Sequence, residues 1–155
     1  MIVEFFIPEL PPQALNPNGP HGSAFPVAEA RRWLRAIVAR NAETWRSAGG
    51  IEEPFARARV EVTAFVYWRR NGRKPYHASD RYRPFDVPNL VAALKPLYDG
   101  LRDARLILDD TAARLVLGDH VIEEVRDYAE EGLRVRVEEL PLPGELPANP
   151  EHEHP

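Results

Sequence analysis

Four leucines constrain this chain more than any other feature. Leu90, Leu94, Leu97 and Leu101 recur at intervals of four, three and four, the spacing that lines one side of an α-helix. They predict a helix from Pro88 or Asn89 to about Asp103, because proline is comfortable near a helix start. Ala30, Trp33, Leu34, Ile37, Val38 and Trp45 carry the same periodicity and predict a second helix from about Val27 to Ser47, ended by Gly49-Gly50. The other apolar runs alternate. Ile2 to Ile7 and Arg59 to Trp68 read as strands, as do Ala113 to Val121 and Leu133 to Glu139. Ile122 to Tyr128 fits a strand or a short helix, the strand being preferred, with Glu131-Gly132 then a hairpin turn. Strand, helix, strand, helix, then strands is an α+β order. It predicts a mixed, mostly antiparallel sheet with two main helices packed on it.

A length of 155 residues suits one domain with a core large enough to fold without staples. The expected domain covers residues 1–140, and residues 141–155 form a Pro/Glu-rich tail too poor in apolar surface to fold alone. The absence of cysteine excludes disulfides, zinc ribbons and thiol catalysis. No apolar run approaches the roughly 20 residues that span a bilayer, so no membrane partner is expected. The N-terminal run lacks a basic region ahead of it and reads as a strand, not a signal peptide. The expected location is therefore the cytoplasm.

A net charge of −4 speaks against a globally basic nucleic-acid binder. Counting by segment alters that. The five glutamates at 138, 139, 145, 151 and 153 leave residues 1–137 with 20 basic and 19 acidic groups. Within that body, Arg69, Arg70, Arg73, Lys74, Arg81 and Arg83 face only Asp80 across residues 69–83, a local net of +5. Tyr67, Trp68, Tyr76 and Tyr82 are interleaved with them. Such a segment is either a solvated loop whose aromatics pack back on the domain, or a surface that grips phosphates and stacks on bases.

Acidic residues gather around the leucine helix. Lys95 and Asp99 are four residues apart on its polar side, where an ion pair would add a few tenths of a kcal/mol. Asp86 precedes the helix and Asp109-Asp110 comes after it. These are either a surface pair and a polar turn, or carboxylates converging on one cleft. In the second case they could hold a divalent cation that activates water and neutralises a phosphodiester transition state, with a lysine adding charge stabilisation.

Asp86-Val87-Pro88-Asn89-Leu90, Lys95-Pro96-Leu97-Tyr98-Asp99-Gly100-Leu101 and Ile107-Leu108-Asp109-Asp110 stand in one order. Together they resemble the RusA family of Holliday junction resolvases. The likeness spans about residues 2–139, including the opening strand and the Asn16-Pro17-Asn18 loop. It implies a homodimer that binds branched DNA, four-way junctions in recombination and repair, and makes magnesium-dependent cuts, with manganese as a substitute. Residue by residue, it implies Asp86 as the first metal ligand, Asp110 as the essential carboxylate with Asp109 beside it, and Lys95 as the catalytic lysine. Asp99 matches a recurrent helical Asp. Phosphate contacts are expected from Arg69, Arg70, Arg73 and Lys74, and a DNA contact from Asn18. A nucleoid-associated location is implied by the same likeness. Pro88 departs from the pattern, standing where the family has a second ligand Asp, and its side chain has no oxygen to offer. Two other readings therefore stand beside the endonuclease: a junction-binding protein that does not cut, and a protein-interaction domain with no nucleic-acid role.

Overall fold

The computed structural model describes residues 1–12, 15, 27–67 and 87–144. Strand β1 (Ile2–Ile7) leads to helix α1 (Val27–Ala48), strand β2 (Ala58–Tyr67), helices α2 (Val87–Ala93) and α3 (Lys95–Asp103), strand β3 (Leu115–Val125) and strand β4 (Gly132–Glu139). A 3-10 turn, Tyr128–Glu130, precedes β4. The sheet order is β1-β4-β2-β3. β4 is antiparallel to both β1 and β2, while β3 runs parallel to β2. This is the α+β fold with a mixed, mostly antiparallel sheet. No helix among the described residues is long and apolar enough to cross a membrane.

Alternation sorts the sheet into two faces. Val3, Phe5, Ile7, Val60, Val62, Ala64, Leu133, Val135 and Val137 point inward and join Leu34, Val38, Leu90, Leu94, Leu97 and Leu101 of the helices in one core. On α1 the buried positions are Ala30, Leu34, Val38 and Ala42, a strict four-residue stripe. Trp45 lies off that stripe and is 49% exposed. The outer sheet face carries charge. Arg136 reaches Glu61 at 3.3 Å and Glu138 at 3.5 Å, and Arg59 reaches Glu138 at 3.3 Å.

Three expectations are corrected. The leucine helix is not continuous: α2 ends at Ala93, Leu94 is a turn residue, and α3 begins at Lys95. Pro96 explains the break, because it has no N–H to donate to the carbonyl four residues back. The leucine stripe still continues across the break, since Leu90, Leu94, Leu97 and Leu101 are all fully buried. Next, Leu115–Val125 is a single strand, with Ala113 before it and Tyr128 in the 3-10 turn beyond. Last, Glu131-Gly132 is not a hairpin turn. β3 and β4 lie on opposite sides of β2, so the chain crosses over between them. Gly132 opens β4 at φ 157°, where an added Cβ would meet the Ile7 carbonyl oxygen at 2.3 Å.

The end of α3 sets the direction of the returning chain. Leu106 N–H donates to the Leu101 carbonyl at 3.1 Å and Arg105 N–H to that of Arg102 at 2.9 Å, the paired bonds of a Schellman cap. The left-handed residue that cap requires is Arg105, at φ 58°. The chain then turns back. Leu106 and Ile107 enter the core, and Phe55 fixes the return by accepting from Leu108 N–H at 3.0 Å and donating to the Leu106 carbonyl at 2.8 Å. Asp109 and Asp110 thereby come back alongside α3.

Candidate functional site

Lys95 is the first residue of α3. A cation at a helix N-terminus opposes the helix dipole and needs compensation from nearby carboxylates. Two supply it. Lys95 Nζ donates to Asp99 Oδ1 at 3.1 Å, one turn along the helix, and also to Asp110 Oδ2 on the returning segment. Arg102, a further turn along, donates to Asp110 Oδ1 at 3.3 Å and lies 3.7 Å from Asp99 Oδ1. Two cations and two carboxylates thus form one closed network. Asp109 braces it, since its Oδ1 accepts from Asp110 N–H at 2.7 Å.

The carboxylates are the sheltered partners. The side chains of Asp110 and Asp99 are 13% and 19% exposed, against 63% for Lys95. The hydrogen bond from Lys95 holds the Asp110 carboxyl below its ordinary range, against the opposing effect of burial. The same bond raises the Lys95 pKa. Lys95 is thus a fixed cation rather than a base.

Two contacts set α3 in place. Gly100 lies against α1 so closely that an added Cβ would meet the Arg35 carbonyl oxygen at 2.6 Å. On the other side, Tyr98 shares a 2.8 Å hydrogen bond with His120 Nε2, and His120 Nδ1 lies 2.9 Å from the Gly118 carbonyl oxygen. A carbonyl only accepts, so His120 Nδ1 is the donor to Gly118. Burial pushes the Tyr98 phenol above its ordinary range. His120 points inward because of a bulge. The β2–β3 register shifts between Val60 and Val62, the extra residue falling at Gly118-Asp119, so both Leu115 and His120 face the core although they are five residues apart.

Beside the network lies a groove of about 670 Å³ between α1 and the α2–α3 pair. Lys95, Pro96 and Asp99 line it from α3, Ala92 and Ala93 from α2, and Val27, Arg31, Arg32 and Arg35 from α1. Arg35 is tied to Asp103 of α3 through two hydrogen bonds, at 2.5 and 2.8 Å.

The structure therefore brings Lys95, Asp99 and Asp110 together, with Asp109 adjacent. Asp86, Asn18, Arg69, Arg70, Arg73 and Lys74 lie outside the described residues. Arg102 and His120 were not singled out by the sequence. The Lys95, Asp99, Arg102 spacing of four and three carried a signal for Arg102, whereas nothing in the sequence marked the bulge that turns His120 inward. As for a metal, magnesium takes oxygen donors, often one or two carboxylates completed by water and substrate phosphate. Asp110 and Asp99 are donors of that kind. Both oxygens of Asp110 hold cations, however, and among the described residues no group of three His, Asp or Glu side chains could hold a metal ion. The donor chemistry fits magnesium on condition that Lys95 and Arg102 release Asp110. Compared with family models and with curated proteins, the chain matches neither.

Proposed function

We propose that this protein is a RusA-like, magnesium-dependent endonuclease acting on branched DNA as a homodimer. The observation that carries the reading is the network itself. Lys95, Asp99 and Asp110, drawn from two separate motifs of the sequence, meet within hydrogen-bond distance at the edge of a positively lined groove. In this reading Asp110, assisted by Asp109 and Asp86, is the metal-holding carboxylate. Magnesium held there would supply activation of water and neutralisation of the phosphate charge. Lys95 turns from Asp110 to the scissile phosphate, whose negative charge keeps the ammonium protonated while charge builds on the phosphorus oxygens. Asp99 keeps the lysine ammonium at the groove edge during that exchange. Arg102 holds Asp110 in position in the unliganded protein. A two-fold dimer would present two such sites to the equivalent strands of a four-way junction.

The test is incubation of a synthetic four-way junction with the wild type and magnesium or manganese. Paired cuts are expected, lost in Asp110→Asn while junction binding persists. No cutting across both metal titrations would overturn the reading. A second reading rests on Pro88 and on the saturated oxygens of Asp110: a junction-binding protein that does not cut. It predicts tight binding without cleavage by the wild type, and cleavage gained in Pro88→Asp.

A further inference from the structure

The charges along the groove are not balanced. Arg31, Arg32, Arg35 and Lys95 line it against Asp99 alone, a net of +3 on a chain whose total is −4. Arg35 is neutralised by Asp103, and Lys95 by Asp99 and Asp110. Arg31 and Arg32 are both exposed and form no ion pair with another described residue. Two adjacent arginines without an ion-pair partner among the described residues repel one another and their neighbours. That cost is recovered when an anion arrives. The remaining walls are apolar, with Val27 on one side and Ala92 and Pro96 on the other. The lining thus offers cations for phosphates and apolar surface for a sugar or base face. Because Lys95 and Asp99 line the groove and also belong to the carboxylate network, the two features are continuous.

We infer that Arg31 and Arg32 of α1 bind the phosphate backbone of the DNA strand that enters the Lys95–Asp110 site. The inference rests on the nucleic-acid reading and adds to it a strand path along α1. The arginines position the strand and read no bases, since phosphate contacts carry no sequence information. Arg35, clamped to Asp103, holds α1 against α3 and so keeps the two arginines in line with Lys95.

The test is a salt titration of junction binding by fluorescence anisotropy without added magnesium, using the full chain. Wild type is compared with Arg31→Gln/Arg32→Gln and with Arg59→Gln/Arg136→Gln, which removes the same charge from the outer sheet face. Each phosphate contact contributes close to one unit of slope in log affinity against log salt. With both arginines removed from each protomer of the dimer, the α1 variant should lose about four units of that slope. From about 50 to about 200 mM salt, the wild type should then lose about a hundredfold more affinity than this variant, while the sheet-face variant behaves as the wild type does. Equal slopes for the wild type and the α1 variant, with wild-type binding intact, overturn the inference and leave the endonuclease reading standing. Absence of salt-dependent wild-type binding overturns both. If the α1 variant instead weakens competition by a nucleoside monophosphate but leaves the junction slope unchanged, the groove is a small-anion site and the strand assignment fails.

Discussion

The outer sheet face and the α1–α3 groove are both rich in arginine, but their charges are arranged differently. On the sheet, Arg59 and Arg136 alternate with Glu61 and Glu138, and each cation lies within 3.3 Å of a carboxylate. Cross-strand register alone accounts for this, because Arg136 pairs with Glu61 and Arg59 with Glu138 in the β2–β4 ladder. In the groove, the carboxylates converge on Lys95 and Arg102, and Arg31 and Arg32 are left without partners among the described residues. Counting arginines would not separate the two regions, whereas asking which charges are already satisfied does. The sheet face is a solvated surface whose charges are paired, whereas the groove keeps two cations unpaired among the described residues.

The largest effect that would sharpen this contrast is on catalysis. On the proposed reading, Lys95→Met removes the cation that stabilises the phosphate, and junction cutting should fall by about a hundredfold or more, measured in single-turnover assays. Arg136→Gln should leave cutting unchanged. Next comes packing. Gly100→Val drives a side chain into the α1 backbone and should destabilise the fold by about 1–3 kcal/mol, read from urea denaturation. A comparable change in the opposite direction is expected at the α3 cap. Arg105→Gly removes a side chain from a left-handed position and should stabilise the protein by about 1 kcal/mol, visible as a raised thermal midpoint.

The smallest effect concerns pH. The hydrogen bond from Arg35 holds the Asp103 carboxyl below its ordinary value of 3.8. Its folded pKa is depressed, so its stabilisation is complete above that ordinary value and is lost as pH falls through the lowered one. Asp103 is more than a third exposed, and solvent screening keeps the contribution near 0.5 kcal/mol. Asp103→Asn should therefore flatten the acid limb of stability slightly and leave the neutral-to-alkaline region parallel to wild type.

The range of each interaction decides how much of the molecule was legible in its sequence. β1, β2 and α1 rest on local periodicity and stand within a residue or two of their expected bounds. The break at Leu94 was visible in Pro96, but the leucine stripe masked it, because the buried face survives the interruption. Nothing local indicates that β3 runs parallel to β2, or that the bulge at Gly118 turns His120 toward Tyr98; both depend on partners distant in the chain. The turn-back of the chain after α3 lacked its usual glycine, since Arg105 takes the left-handed position. Lys95, Asp99 and Asp110 were legible as motifs, and their meeting is set by that turn and by the Phe55 bridge. Arg31 and Arg32 carry no signal of their own in the sequence, and the opposite wall of their groove is supplied by α2 and α3.

The central claim is that the Lys95–Asp110 network is the reacting centre of a nuclease. It is tested most directly by gel analysis of a labelled four-way junction incubated with magnesium and either wild type or Asp110→Asn, with binding measured in parallel. The account predicts paired cuts by the wild type, none by the variant, and comparable binding by both. Cutting by Asp110→Asn at the wild-type rate, or an intact junction in both reactions, would contradict it.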